Sequence, residues 1–292
     1  MKTAFIIDST AYASEELRQN PDVYELYLSS HFKDGSEFRD RQDLDIQKAF
    51  YAKLKEAKEK KELPKTSQPA PGEYIKLVEE IIAEGYEQLI CIHISAAFSG
   101  VYQTGKIVTA DYADQIDSLV VDSKGVSFVM EYMVVQAMEM LEKGLTLAEI
   151  EGKLNWLAEE SRVYLTVSDL EYVVAGGRIG PAKAKLGNLL RIKPLLNMDE
   201  NGEVQLFEKI RTDKRINKKL ALLAKEAVAE YPRGVMFGFA HALADERMEK
   251  AIAEVTEEVP DISYQVARLG PVIGTHTGLG TIGMGVIPIA DY

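Results

Sequence analysis

Gln88-Leu-Ile-Cys-Ile-His-Ile94 is a largely apolar run, and Ser95-Ala-Ala-Phe-Ser99-Gly100 follows it directly. A short run of this kind, bounded by polar and glycine residues, predicts a strand that is buried on both faces. Helical spacing begins after Gly100. A buried strand that ends in a polar loop and leads into a helix is the repeating unit of a parallel α/β sheet.

The same unit occurs twice more in the first half of the chain. Lys2–Ile7 predicts a strand that ends at Asp8-Ser9-Thr10, and Ser118–Val121 predicts one that ends at Asp122-Ser123 before a long helix. We therefore expect a parallel sheet flanked by helices. The other elements predicted here are a strand at Val23–Leu28 and helices at Leu44–Lys60 and Gly72–Glu84.

The second half of the chain has a different pattern. Ile192–Met198 and Glu203–Arg211 flank Asp199-Glu-Asn-Gly202, which is typical of a β-hairpin. Hairpin strands interspersed with helices indicate an α+β unit built on a mixed sheet. We expect two domains, residues 1–158 and 159–292. The other elements predicted here are strands at Arg162–Val167, Gly234–Ala240 and Ile262–Leu269, helices at Asp213–Glu230 and Asp245–Glu257, and glycine-rich loops at Val173–Arg178 and Gly270–Gly280.

Composition narrows the class of protein. The 292 residues include 34 Lys and Arg against 46 Asp and Glu, a formal net charge of −12, which disfavours general binding to nucleic acid. Apolar runs are too short for a membrane span, so we expect no stable membrane insertion. The single cysteine, Cys91, fits a reducing cytoplasm and lies inside the apolar run, where a buried small side chain is expected.

Hydroxyl side chains follow the predicted strands of the first half, at Asp8-Ser9-Thr10, Ser95–Ser99 and Asp122-Ser123, and Thr66-Ser67 forms a fourth pair. Ligands of open parallel sheets bind beyond the carboxyl ends of the strands, beside helix N-termini that favour an anion. Any one of these residues is more often a helix cap than a ligand contact. Their convergence at one edge predicts a site for an acidic group.

Among the four histidines, His276 is the best functional candidate because it lies between Gly274 and Gly278, where backbone can approach a ligand. A hydrolase or acyl-transfer enzyme that uses Ser95 or Ser99 with His276 is one alternative. Neither paired cysteines nor histidines at ligand spacing occur, so no metal is expected. A nucleotide site is weakly indicated, since the last glycine-rich loop lacks the Lys-Ser/Thr of a P-loop.

The chain resembles the DegV family, whose members include the FakB-type fatty-acid-binding subunits of bacterial fatty acid kinase. The resemblance extends over essentially the whole chain, and three residues depart from the family pattern: Ala96, Val101 and Leu279. The matching segments are Asp8-Ser9-Thr10, Thr66-Ser67-Gln68-Pro69, Ser95 to Gln103, Gly176-Gly177-Arg178-Ile179, Lys193-Pro194-Leu195, Gly202, Arg211 and Gly270 to Gly278.

The resemblance implies a two-domain α/β protein that encloses a long-chain fatty acid between its domains and needs no cofactor. It also implies a carrier without catalysis of its own, which presents the carboxylate to a kinase subunit for acyl phosphate formation and phospholipid synthesis. Arg178 matches the position of family arginines near the pocket mouth that are candidates for contacting that partner. By its charge, the basic run Lys183–Arg191, which includes Lys183 and Lys185, is a further candidate for docking an acidic kinase surface. The implied ligand contacts are Thr66, Ser67, Ser95, Ser99, Arg178, Thr275 and His276. A carrier of another amphipathic acid is the remaining alternative.

Overall fold

The computed structural model describes residues 1–180 and 193–292. Its strands in chain order are β1 (Thr3–Asp8), β2 (Val23–Leu26), β3 (Ser29–His31), β4 (Glu37–Arg39), β5 (Lys65–Ser67), β6 (Gln88–His93), β7 (Asp117–Asp122), β8 (Arg162–Thr166), β9 (Lys193–Met198), β10 (Val204–Ile210), β11 (Val235–His241), β12 (Tyr264–Arg268) and β13 (Ile282–Pro288). Its α-helices are α1 (Glu15–Gln19), α2 (Leu44–Glu59), α3 (Pro71–Ala83), α4 (Val101–Ala110), α5 (Phe128–Glu142), α6 (Leu147–Glu160), α7 (Leu170–Gly176), α8 (Asp213–Glu230), α9 (Asp245–Glu258) and α10 (Pro271–Thr277).

The first half contains the predicted parallel sheet, with strand order β2-β1-β6-β7. All six residues of β6 are buried, as the apolar run predicted. Cys91 is fully buried, and burial raises the pKa of its thiol to about 12. His93 is also fully buried and contacts Tyr74 and Asp8 through its two ring nitrogens. Both side chains therefore belong to the core of this sheet.

The second half forms a six-stranded mixed sheet in the order β10-β9-β8-β13-β11-β12. β11 and β12 are parallel, and the other neighbouring pairs are antiparallel. One face packs Phe237, Phe239 and Met284 into a core with α8 and α9. The other face points to the first half of the chain. This architecture confirms the predicted fold class, whereas the domain limits 1–158 and 159–292 stay a prediction.

A third, antiparallel sheet with the order β4-β3-β5 was not predicted from the sequence. Each of its strands has three residues, which is too short for a period-2 pattern to be recognised. Thr66 and Ser67, a hydroxyl pair for which no strand was predicted, lie in its strand β5. The predicted strand Val23–Leu28 ends at Leu26, and β3 begins at Ser29.

Two segments that were predicted as glycine-rich loops are helical. Leu170–Gly176 forms α7 and Pro271–Thr277 forms α10, so the loop prediction was wrong for both. Gly177 and Gly278 have φ values of 70° and 76°, and each is the residue that ends its helix. Because a helix C-cap and an open loop use the same residue type, glycine alone does not distinguish the two.

Helix α10 is held in place by polar groups from the first half. Asp40, which is fully buried, accepts hydrogen bonds from the Val272 N–H (3.0 Å) and from Ser9 Oγ (3.2 Å). Ser30 Oγ donates to the Pro271 carbonyl oxygen at 3.0 Å. A carboxylate at a helix N-terminus satisfies free N–H groups and favours the helix dipole. Strand β3 of the third sheet, which contains Ser30, and Asp40, which follows strand β4, thus position α10.

None of the helices within the described ranges is long and apolar enough to cross a membrane.

Asp40→Asn is expected to alter how stability depends on pH. Burial raises the pKa of Asp40 to about 7, whereas an unfolded Asp titrates near pH 4. Between these values the folded state retains a proton that the unfolded state releases, so the contribution of Asp40 to stability falls as pH rises. Relative to Asp40→Asn, the wild-type free energy of unfolding should drop by up to about 4 kcal/mol between roughly pH 4 and pH 8.

Urea unfolding of both proteins across this pH range measures the effect. Because the asparagine side chain of the variant retains an oxygen for the Val272 N–H, the comparison isolates the titration from the loss of the cap. A difference in stability that stays constant with pH would show that Asp40 does not titrate in this range.

Candidate functional site

A cavity of about 490 Å³ lies between the carboxyl ends of the first sheet and the inward face of the second sheet. One end has polar side chains, from Thr66, Ser67, Gln68, Ser99, Arg178 and His276. The remaining wall is mainly apolar, and it includes Leu28, Ile94, Val126, Phe128, Val163, Leu165, Leu196, Met198, Val204, Leu269, Val272 and Ile273. A largely apolar space with a few polar groups at one end suits an amphipathic ligand.

Glycines on the second sheet create much of this space. Gly283 and Gly285 in β13, with Gly238 in β11, line the cavity, and Gly285 pairs with Gly238 across the two strands. At Gly283 and Gly285 the sheet presents backbone where other residues would fill the space with side chains, whereas the space over Gly238 is occupied by the ring of Phe128, which itself lines the cavity. These glycines were not among the predicted site residues, although glycine inside a strand is a known sign of close approach by a ligand or another chain segment.

The polar end centres on His276 and Thr66. His276 lies on α10 and Thr66 on β5, and His276 Nε2 is 2.8 Å from Thr66 Oγ1. The other ring nitrogen, Nδ1, is buried and has no hydrogen-bond partner within residues 1–180 and 193–292. It lies against Gly176 at the end of α7, where a Cβ would overlap the ring. Gly176 therefore leaves the space that the imidazole occupies.

His276 is neutral at physiological pH. Its burial, and then the positive charge of Arg178, lower the pKa of the imidazole to about 4. The Arg178 guanidinium donates to the carbonyl oxygens of Gly176 (3.1 Å) and Phe98 (3.4 Å) and is exposed at the end of the cavity. The site thus offers neutral donors inside and one positive charge at its outer edge.

Two predicted serines also reach the polar end. Ser67 is exposed, and its Oγ lies 2.8 Å from His31 Nε2. Ser99 is partly buried, and its Oγ accepts from the N–H of Val101, the first residue of α4, at 3.4 Å. With Gly100 also in the wall, the N-terminus of α4 adjoins the polar end and favours an anion there.

Two other predicted contacts lie outside the cavity wall. The Ser95 hydroxyl donates to the Gly202 carbonyl oxygen at 2.9 Å, which joins the β9–β10 hairpin to the first sheet. The Thr275 hydroxyl bonds to the Pro271 carbonyl oxygen (2.9 Å) and to Ser30 (2.7 Å). Both hydroxyls are engaged by the protein. Lys183 and Lys185 lie outside the residues that the structure describes.

The arrangement gives no support to a nucleophilic serine paired with His276. Its Nε2 contacts Thr66, and no hydrogen bond within the described residues joins His276 to Ser95 or Ser99. His241 serves another part of the fold, because its Nδ1 accepts from the Ala244 N–H at the start of α9. Within the described ranges, no three His, Cys, Asp or Glu side chains are grouped to hold a metal ion.

We expect the His276 imidazole to titrate near pH 4, and to do so at a higher pH in Arg178→Ala. Removing the guanidinium abolishes its repulsion of the imidazolium, which raises the pKa. Burial, the larger cause of the low pKa, remains, so the rise should be partial. Imidazole NMR spectra of the two proteins over a pH series measure the shift. Arg215→Ala, which removes an exposed charge from α8, is the control. Wild-type titration near the ordinary histidine pKa of about 6.5 would contradict the burial argument.

Comparison with known proteins places this geometry in a family. Residues 2–289 match the model for "Uncharacterised protein, DegV family". The DegV domain-containing protein spr1415 of Streptococcus pneumoniae is 32% identical over 289 residues, which cover 99% of this chain and 100% of that protein.

Two solved structures share the fold over almost their full length. The fatty acid binding DegV family protein SAG1342 from Streptococcus agalactiae has a TM-score of 0.90 and 30% identity, with 99% of each chain covered. The fat acid (stearic acid)-binding protein from Eubacterium ventriosum has a TM-score of 0.84 and 27% identity, also with 99% of each chain covered. Together with the family match over residues 2–289, these similarities show that the chain belongs to the DegV family.

Proposed function

We propose that this protein binds a long-chain fatty acid in the cavity, with the aliphatic tail against the second sheet and the carboxylate beside Thr66 and His276. The observation that carries the proposal is the division of the cavity into a long apolar part and one polar end. The relatives from Streptococcus agalactiae and Eubacterium ventriosum, described as binding fatty acid and stearic acid, support the same class of ligand.

The tail supplies most of the binding free energy. Burial of about fourteen methylenes at roughly 0.8 kcal/mol each contributes on the order of 10 kcal/mol before the costs of ordering and association. A carboxylate carried into the protein with the tail loses its hydration, and without hydrogen bonds this loss would cancel much of the gain. The polar end must therefore provide donors.

The Thr66–His276 pair meets this need without a buried cation. When the imidazole proton is on Nε2, the ring donates to Thr66 Oγ1, and the hydroxyl proton of Thr66 is left to donate to the carboxylate. Ser99 and the N-terminus of α4 add further favourable interactions with an anion. Arg178, at the outer edge, attracts the acid and remains accessible to a partner. Direct ligand contacts from Ser67, Ser95 and Thr275 stay predictions.

We further propose that the protein is a cytoplasmic carrier that performs no chemistry on its ligand. In this role it would present the carboxylate to a fatty acid kinase subunit, and the acyl phosphate would enter phospholipid synthesis. The exposure of Arg178 beside the polar end supports a docking surface at that position. Neutral donors that hold a carboxylate would also suit the oxygens of an acyl phosphate.

Protein purified from bacteria is expected to carry a long-chain fatty acid. Solvent extraction followed by mass spectrometry identifies the ligand, and displacement by a fluorescent fatty acid measures affinity. An isoprenoid or a lipid phosphate in the extract would favour a carrier of another amphipathic acid. The absence of any acyl chain, together with no uptake of the fluorescent acid, would refute the proposed function.

Thr66→Val should weaken fatty-acid binding about ten- to a hundredfold, because it removes a hydrogen bond to a charged group and keeps the shape of the side chain. Thr277→Val is the matched control, since the Thr277 hydroxyl also lies in the wall but already donates to the Ile273 carbonyl oxygen. Titration calorimetry with the acid and with the fatty alcohol of equal length separates head-group from tail effects. Equal losses for acid and alcohol would contradict the assigned role of Thr66.

Arg178→Glu is expected to reduce acyl phosphate formation by a kinase subunit much more than it reduces fatty-acid binding. Charge reversal removes the proposed contact with an acidic partner surface, whereas the tail remains buried. Arg215→Glu on α8, away from the cavity wall, is the matched charge reversal. Equal losses of binding and phosphorylation in Arg178→Glu would reject a separate docking role.

A further inference from the structure

On the inward face of β13, two successive glycines are followed by a large apolar residue. Gly283 and Gly285 line the cavity, whereas Ile287, the next residue on that face, is fully buried and lies outside the wall. Thr281, just before β13, also lines the cavity, and its hydroxyl donates to the carbonyl oxygens of Thr277 (2.9 Å) and Gly278 (3.0 Å) at the end of α10, the helix that carries His276. The strand therefore runs from a hydroxyl, across two positions without side chains, to a branched apolar residue.

The neighbouring strand β11 shows the same change from small to large side chains. Gly283 pairs with Ala240 of β11, and Gly285 pairs with Gly238, so both rows have small residues on two adjacent strands. The following row pairs Ile287 with Met236, and neither residue lines the cavity. The space over the sheet ends where the side chains become large again.

The sides of this space are closed as well. Phe128, the first residue of α5, packs so closely on Gly238 that a Cβ at that glycine would overlap its ring. On the other side of β13, Val163 pairs with Gly285 and Leu165 with Gly283. A channel is thus left over Gly283 and Gly285, and its lining ends at Gly285, which the side chain of Ile287 approaches.

We infer that Ile287 is the stop for the end of the fatty-acid tail, and that the pair Gly285 and Ile287 sets the maximum chain length of the ligand. This inference rests on the proposed function. A Cβ built on Gly285 lies 3.3 Å from Ile287 Cδ1, so the isoleucine side chain reaches towards the second glycine row. From Thr281 to Ile287 the strand rises about 20 Å, a distance suited to a long aliphatic chain.

The pair allows the end of the channel to be moved in both directions. Gly285→Ala adds a methyl group at the end of the channel, and Gly285 has no positive φ that would strain alanine. Ile287→Val removes Cδ1, the atom that approaches Gly285, with only a small change in the core. In the double variant the two changes should offset each other.

Dissociation constants for the saturated acids from tetradecanoic to eicosanoic acid provide the measurement. Each methylene that loses its burial weakens binding roughly fourfold, so Gly285→Ala should shift the relative affinities towards shorter acids by at least that factor. Ile287→Val should shift them towards longer acids, and the double variant should return towards the wild-type preference. Unchanged relative affinities in both single variants would overturn the inference.

Val286→Ala is the matched control, because Val286 is buried in the core on the opposite face of β13 and does not line the cavity. It should leave the order of preference unchanged, and a shift equal to that of Ile287→Val would also overturn the inference. If the wild type binds none of these acids, the proposed function itself fails. If every variant binds these acids with the same preference for chain length, the inference that Ile287 limits the tail is refuted, while the proposed function is not.

Discussion

Helix α10 carries the central imidazole of the polar end, and buried polar contacts from the first half of the chain hold this helix in place. Asp40 accepts from its Val272 N–H, and Ser30 donates to its Pro271 carbonyl oxygen. Gly274 allows the helix to approach Tyr51 so closely that a Cβ would lie 2.6 Å from the phenol oxygen. These contacts join residues far apart in the chain and fix the direction in which His276 points. Without them the cavity would lose its polar end.

A second constraint is the electrical neutrality of that imidazole. Burial and the charge of Arg178 keep the pKa of His276 low, so the inner part of the polar end has no fixed positive charge. An acid held by neutral donors avoids the large desolvation cost of a buried ion pair. Such a ligand can leave again without breaking a salt bridge, which is consistent with the proposed carrier role.

The cavity itself depends on glycines, which have no side chain to fill it. Protein interiors are normally packed as densely as organic crystals, and a space of about 490 Å³ requires positions where side chains are missing. Gly283 and Gly285 provide these positions on β13, and Gly238 on the adjacent strand makes room for the ring of Phe128. The opposite face of the same sheet is filled by Phe237, Phe239 and Met284, which supply the packing that an open face cannot.

Local sequence pattern was enough to predict the two main sheets, because apolar runs and helical spacing are short-range features: α8 lies at Asp213–Glu230, as predicted. The pattern also indicated Thr66 and His276 as candidates. That these two side chains meet became evident only from the folded chain, since they are 210 residues apart and β5 is too short to predict. The same is true of the hydroxyls of Ser95 and Thr275, which bond to the protein, because a hydroxyl in a loop looks the same in sequence whichever partner it has.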